Sequence, residues 1–289
     1  MTDSVPVSVV IPTIGRPPLL AECLRSLERC VPRAAEVVVI DQSADGTVAE
    51  VVDEFTAVGA RVLPLPGRNI ARGRNVGLRE ARHDIVLFTD DDCTVPSSWI
   101  GTAMRLMTDD SERIVTGKVL AAGPDVPSIR YDERPHEHTG ELRCDALYTG
   151  NMAARRAALL EFGGFDERLA QAAEDNDLCY RWLRAGRRLT YEPELVVEHG
   201  AWRTPADVAR TYDSYWRGQG AFYAKHLRSG DTAVLRFLVS DLNAGVRAGA
   251  SDALGRAPRT ATAPRLRALA LGLLTGLRRR SVAPMARRG

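Results

Sequence analysis

Residues Asp84 to Pro96 read DIVLFTDDDCTVP, an apolar run that ends on three consecutive carboxylates. Ile85 to Phe88 are continuous and partly β-branched, the pattern of a short strand buried on both faces of a parallel sheet. Asp90, Asp91 and Asp92 then stand at its carboxyl end. Adjacent anions repel, so their company is explained by a cation that neutralises them, and hard oxygen donors select Mg²⁺ or Mn²⁺. A solvated acidic turn is the competing reading. The chain on either side decides between them.

Upstream, Val5 to Ile11 (VPVSVVI) reads as a strand ending at Pro12-Thr13. Arg16-Pro17-Pro18 leads into a helix marked by Leu19, Leu20, Cys23, Leu24 and Leu27, with proline in the first turn, where its missing N–H costs nothing. Glu36 to Ile40 is a second buried strand that ends on Asp41, with Ser43 in the loop after it. Val48, Val51, Val52 and Phe55 trace the next helix, and Val62 to Leu65 a third strand. Gly67 to Gly77 (GRNIARGRNVG) opens a helix through Ala81. Strand and helix alternate, the signature of a parallel sheet with right-handed crossovers. Ligands of such sheets bind outside the carboxyl ends of the strands, where Thr13, Arg16, Asp41, Ser43 and the triplet are expected to meet.

Downstream, Trp99 to Met107 reads as a helix and Ile114 to Val119 as a strand. Residues 123 to 145 are polar and hold His136 and His138; they are expected to form an irregular loop, long enough for a lid or a substrate-facing segment, with the histidine pair solvated rather than binding metal. Ala146 to Asn151 returns to the core, and Arg155 to Phe162 is a helix stopped by Gly163-Gly164. Glu174 to Trp182 starts with acids and ends with arginine, in accord with the helix dipole; by itself Asp175 suits an N-cap. Leu189 to Tyr191 and Leu195 to Val197 read as two short strands, and His199 after them as a structural histidine. Residues 205 to 247 look helical with interruptions at Gly218 and Gly220. PRLRALALGLLTGLRRR, residues 264 to 280, reads as a packed helix with a frayed basic end or as a membrane-surface helix.

The 289 residues are 45% hydrophobic and 26% charged, an ordinary globular composition for one domain or one and a half. The net charge of +2 hides an asymmetry: residues 253 to 289 hold nine arginines and no acid, leaving 30 basic against 37 acidic residues before them. No nucleic-acid partner is expected. The chain enters a strand pattern almost at once and has no apolar run of bilayer length, so neither a secretory signal nor a spanning helix is expected. Five cysteines without CxxC spacing point away from a disulfide framework and from zinc. Cys93 is read as a small side chain beside the triplet, with perturbation of metal choice as the alternative. The expected location is cytoplasmic, with peripheral contact at the inner face of a membrane through the basic tail as the further option.

Seven segments, in this order, carry a resemblance: VSVVIPTIGR (Val7 to Arg16), VVVIDQSADGT (Val37 to Thr47), ARGRNVGL (Ala71 to Leu78), VLFTDDDCTVP (Val86 to Pro96), TGNMAARRAALLEFGGFDE (Thr149 to Glu167), EDNDLCYR (Glu174 to Arg181) and VVEHG (Val196 to Gly200). Together they resemble the family 2 glycosyltransferases of GT-A fold over residues 5 to 200. The resemblance implies an α/β, Rossmann-like, mostly parallel central sheet flanked by helices, with a helical C-terminal extension. The implied domains are a catalytic one at 1 to 203 and a helical region with a basic tail at 204 to 289.

The resemblance also implies roles. Pro12, Thr13, Arg16, Asp41 and Ser43 would contact the donor nucleotide, Asp41 accepting from the imide N–H of uracil or thymine. Arg72 or Arg74 would face the diphosphate. Asp90 would serve the ribose with Asp91 assisting, and Asp92 with His199 would hold Mn²⁺ or Mg²⁺. Asp175 would be the general base, positioned by Glu174, while Trp99, Gly150 and Asn151 would line the sugar or acceptor pocket. The implied reaction moves one sugar, with inversion, from a UDP- or dTDP-sugar to a hydroxyl of a saccharide, lipid or small molecule. Asn69 stands where the family often has glycine, and its tolerance of positive φ would preserve the turn. A sugar nucleotidyltransferase is the rival enzyme, but IPTIGRPP supplies no glycine-rich triphosphate loop. An inactive nucleotide-sugar or glycan-binding module is the other rival, and it would need neither Asp175 nor the whole triplet.

Overall fold

Four parallel strands make the first half of the central sheet: β1 (Ser4–Thr13), β2 (Arg33–Asp41), β3 (Ala60–Pro64) and β4 (Ile85–Thr89), in the order β3-β2-β1-β4. The computed structural model describes residues 4–43, 45–108, 112–123, 129–169, 172–253 and 262–278. Helices α1 (Pro17–Glu28), α2 (Thr47–Asp53) and α3 (Ile70–Glu80) make the crossovers. Successive side chains of a strand point to opposite faces, and both faces are covered. Val9, Ile11 and Leu87 pack with Leu20, Leu24 and Trp99 on one side. Val10, Val86 and Phe88 pack with Leu78, Leu159 and Trp182 on the other. That double cover is why these strands read as unbroken apolar runs rather than alternating ones.

Beyond β4 the sheet becomes mixed. The two-residue β5 (Cys93–Thr94), then β6 (Ile114–Ala122), β7 (His136–His138), β8 (Asn151–Arg155) and β9 (Leu189–Gly200) join it. Strand β8 lies antiparallel between β4 and β6, and β9 runs parallel to β6. The sequence hides β8 because NMAAR is alanine-rich and weak in strand preference. Its small Ala153 and Ala154 are fully buried between the two layers. The two short strands expected at 189 and 195 are one strand whose register slips opposite Gly117 and Lys118. A side chain on Gly117 would meet the Leu195 carbonyl at 1.9 Å, so glycine is what permits that bulge.

The stretch expected to be irregular is partly ordered. His136 pairs with Tyr191 and His138 with Leu189 across an antiparallel β7–β9 ladder, and Val119 bridges Arg130. His136 is engaged by Asp132 at 2.7 Å.

Three helices complete the first compact unit, Met1–Val208: α4 (Trp99–Leu106), α5 (Arg156–Phe162) and α6 (Glu174–Arg184). A second unit, Ala209–Gly289, holds most of α7 (Pro205–Arg228) together with α8 (Leu235–Ala253) and α9 (Thr262–Arg278). Gly218 and Gly220 do not interrupt α7. A side chain on Gly220 would sit 2.2 Å from the Leu269 carbonyl, and one on Gly272 2.0 Å from that of Arg217. These glycines let α7 and α9 touch backbone to backbone. Helix α9 is accordingly a packed helix, with Ala268 and Leu269 buried. No helix among the described residues is long and apolar enough to cross a membrane.

Candidate active site

The carboxylate triplet forms the turn after β4. Because β1 and β4 are parallel neighbours, the end of β1 delivers Thr13 and Arg16 to it. Thr13 Oγ1 donates to Asp91 Oδ2 at 2.5 Å, and Arg16 grips the same carboxylate through Nε at 3.0 Å and through Nη2. Such forked pairing is the strong form of the ion pair. Asp91 is fully buried, and burial pushes its carboxyl up to about 6 although Arg16 pulls it down.

Asp92 has a denser set of partners. Its Oδ2 accepts from Trp202 Nε1 at 2.8 Å and from Arg16 Nη1 and Arg203 Nη2 at 3.0 Å each. His199 Nε2 lies 3.4 Å away, placed there because β5 and β9 pair with Cys93 opposite His199. Burial opposes ionisation, yet His199, Arg16 and Arg203 together hold this carboxyl well below the usual range.

One guanidinium ties the triplet to the start of α6. Arg74, 2% exposed, donates from Nη2 to Asp90 Oδ1 at 2.8 Å and from Nη1 to Glu174 Oε1. Burial alone would depress its basicity, but Asp90, Glu174 and Asp175 outweigh it and raise it. Burial and the neighbouring Asp175 charge push Glu174 up to about 7 against the pull of Arg74. Asp175 is raised as well, by burial, with Arg74 and Arg130 acting against the rise. Asp175 is not the N-cap. Its Oδ1 accepts from the next backbone N–H, of Asn176, at 2.8 Å, and the cap position is Ala173. Ala173 holds φ at 68°, the only left-handed non-glycine among the described residues. That conformation costs an L-residue roughly 1–2 kcal/mol and tends to persist where function needs it.

On the opposite flank, β1 and β2 pair Thr13 with Asp41. Asp41 Oδ1 takes both the Ser43 N–H at 2.8 Å and the Ser43 hydroxyl at 2.6 Å, so the two residues form one polar ledge. Asn69 does not use positive φ: it is extended at φ −150° and caps α3 by accepting from Arg72 N. Of the two candidate arginines in the first half of α3, Arg74 enters the carboxylate network, whereas Arg72 is exposed. Pro12 is buried against Gly73, where a side chain would meet it at 3.3 Å. Gly150 lies directly beside the triplet; a side chain there would fall 2.6 Å from Asp90 Oδ2.

Trp99 and Asn151 do not line a pocket. Trp99 is 1% exposed and Asn151 fully buried. Trp99 Nε1 donates to Asn151 Oδ1 at 3.0 Å, while Asn151 Nδ2 donates to the carbonyls of Lys118 and Leu195. Their polar atoms are spent tying α4, β6 and β9 together. Three neighbours of the carboxylates escaped the sequence reading: Tyr148, whose hydroxyl donates to Asp90 at 3.4 Å, and Trp202 and Arg203 on Asp92. The signal was adjacency, since Tyr148 precedes TGN and Trp202-Arg203 follows VVEHGA.

Ligand atoms of Asp90, Asp92 and Cys93 lie within 4.8 Å of one another, with the His199 imidazole on Asp92. The Cys93 thiol is fully buried, and burial first, then the Asp92 and Asp90 charges, push it well above its ordinary range. The Asp90 and Asp92 carboxylates are hard oxygen donors of the kind that Mg²⁺ and Mn²⁺ accept.

The family description "Glycosyl transferase family 2" matches residues 8–168, more than half of the chain. The chain belongs to that family. Among curated relatives, the pre-mycofactocin glycosyltransferase of Mycobacterium tuberculosis is 30% identical over 233 residues, covering 75% of this chain and 46% of that protein. The chain thus spans about half the length of that relative. The succinoglycan biosynthesis protein ExoM of Rhizobium meliloti is 29% identical over 208 residues, 67% of each. Among solved structures, the mannosyltransferase PcManGT of Pyrobaculum calidifontis, in complex with GDP-Man and Mn²⁺, has a TM-score of 0.65 at 19% identity and covers 96% of this chain and 88% of its own. TarS of S. aureus in complex with UDP has a TM-score of 0.57 at 21% identity over 77% of this chain and 71% of its own. These likenesses establish the GT-A architecture of the family 2 chain.

Proposed function

We propose that this family 2 chain transfers a single sugar from a UDP- or dTDP-sugar to a hydroxyl acceptor, with metal assistance and inversion at the anomeric carbon. The observation that carries the reading is the Arg74 bridge: one buried guanidinium binds both the first aspartate of the triplet and the glutamate beside Asp175. A carboxylate able to take a proton is thereby fixed next to the residues suited to hold a diphosphate and its cation.

In this reading the Asp41 and Ser43 ledge takes the base, with Asp41 Oδ2 accepting an imide N–H, and Asp90 takes the ribose. Asp92 and His199 would hold the metal, which when bound supplies Lewis-acid neutralisation of the departing diphosphate. Asp175 accepts the proton of the attacking hydroxyl on the face opposite the leaving group, so a single in-line displacement breaks the sugar–phosphate bond as the new glycosidic bond forms. Glu174, pushed up to about 7, keeps Asp175 and Arg74 in place. Gly150 keeps the space beside Asp90 clear of side chain. The family 2 relatives support the reaction class, and the bound UDP and GDP-Man of the structural neighbours support a nucleotide donor.

The test is a panel of UDP-, dTDP- and GDP-sugars with Mn²⁺, followed by thermal shift and by release of the nucleoside diphosphate. The expected result is stabilisation by a uracil or thymine nucleotide sugar together with slow release of UDP or dTDP. Turnover that requires pyrophosphate would identify a nucleotidyltransferase instead, and stabilisation without any turnover a binding module.

The second unit extends the proposal to a membrane surface. Leu235, Val239 and Leu242, at i, i+4 and i+7 of α8, are exposed, as are Leu274 and Leu277 of α9, and residues 253 to 289 carry nine arginines and no acid. A unit that exposes apolar side chains and whose sequence from 253 to 289 holds arginine without acid suits an anionic lipid face. The protein is expected to sediment with phosphatidylserine vesicles, less so as salt rises, and to ignore phosphatidylcholine. Equal binding to both, or to neither, would remove the membrane from the proposal.

A further inference from the structure

The turn after β9 brings in side chains that the reaction as derived leaves without a role. Trp202 carries two guanidiniums against its ring, Arg16 at 4.7 Å and Arg203 at 4.5 Å from the ring centre. The indole N–H and both arginines converge on the same atom, Asp92 Oδ2. Arg203 Nη1 also lies 3.3 Å from His199 Nε2. The oxygen and nitrogen suited to a divalent cation are therefore already served by monovalent ones.

Both kinds of cation cannot share these atoms at low cost. A dication placed on Asp92 would stand within a few ångströms of two guanidiniums, and in a buried site that repulsion is poorly screened. The guanidiniums must then find another anion. A diphosphate is the matching one, because its paired oxygens accept the forked guanidinium geometry. The backbone need not move for the exchange: Gly200 N stays bonded to the Asp92 carbonyl at 2.8 Å, and a side chain at Gly200 would crowd that carbonyl at 3.1 Å. The long arginine side chains can swing while Trp202 supports them.

We propose that Arg203, paired with Arg16 across Trp202, is a diphosphate-binding residue that neutralises Asp92 in the free protein and passes to the donor's diphosphate when it arrives, so that the metal takes Asp92 only in the nucleotide's company. The inference rests on the nucleotide-sugar reading given above. It makes metal and donor mutually dependent ligands, each favouring the other by the same factor.

The test measures three ligands by titration calorimetry on the full chain and on Arg203→Met: Mn²⁺ alone, UDP with Mn²⁺, and uridine. The parent protein is expected to bind Mn²⁺ alone poorly and the variant to bind it several-fold better, because a competitor for Asp92 is gone. UDP with Mn²⁺ is expected to bind the variant about tenfold more weakly, the scale of one lost charge-assisted hydrogen bond. Uridine, which has no diphosphate, is expected to bind both alike. Misfolding cannot strengthen one ligand while weakening another. Mn²⁺ affinity that is unchanged or lower in the variant, or a uridine loss equal to the UDP loss, overturns the assignment of Arg203. A parent protein that binds neither uridine nor thymidine, and neither UDP nor dTDP, overturns the nucleotide reading itself.

Discussion

Replacing Asp175 by asparagine is expected to reduce sugar transfer by about 10²- to 10⁴-fold, the range over which a positioned general base acts, while leaving UDP and Mn²⁺ binding nearly unchanged. Asparagine has the same shape and can still accept from Asn176 N–H through its carbonyl oxygen, but it cannot take a proton. Burial raises the Asp175 carboxyl, which makes it a stronger base than a solvated aspartate, and Arg74 and Arg130 limit that rise. The substitution removes one negative charge near Arg74, whose remaining partners Asp90 and Glu174 keep it in place. Initial rates of transfer and calorimetric affinities, measured on the same preparation, separate the two effects. Transfer within a few-fold of the parent rate would show that another group takes the proton. A large loss of UDP affinity would show that Asp175 acts on binding instead.

The parallel half of the sheet was legible because each strand is buried on both faces and each crossover helix shows its own spacing. Thr13, Arg16, Asp41 and the triplet were legible as a group because strand ends in such a sheet converge by topology. The reading failed where burial and function leave similar marks. Trp99 and Asn151 looked like pocket residues, yet their polar atoms are consumed in holding strands together, and no motif distinguishes a buried hydrogen bond from a ligand contact. Strand β8 failed for a different reason: its alanines are chosen for size between two layers, not for strand preference. The glycines of α7 misled because close helix packing and helix breaking demand the same residue. Arg203 was missed because the motif reading stopped at Gly200, although the carboxylate it serves lies 111 residues away in sequence. Pairings of that kind are set by the β5–β9 ladder, which is two residues long on one side and leaves almost no periodic signal.

Arg74→Met is expected to have the largest effect on stability, about 3–5 kcal/mol, because it strands two carboxylates that a single buried guanidinium had neutralised. Methionine fills much of the same volume, so the loss is electrostatic more than steric. Asp90 retains the Tyr148 hydroxyl and partial solvent, while Glu174 sits almost fully buried. The pH dependence follows from Glu174. Its folded value of about 7 lies above its ordinary 4.5, so across that interval the folded chain keeps a proton that the unfolded chain has released, and stability falls as pH rises. Without Arg74 the folded value climbs further, and the fall continues to higher pH. Denaturant melts of parent and variant are therefore expected to lie closer together at pH 6 than at pH 8.5. Adding Glu174→Gln should recover part of the loss, since an amide needs no counter-charge, and the double variant should be more stable than the sum of the single effects. Curves that stay parallel across this pH range, or strictly additive single and double variants, would mean that Arg74 and Glu174 are not electrostatically coupled. The bridge that fixes Asp175 beside the triplet would then have to be sought elsewhere.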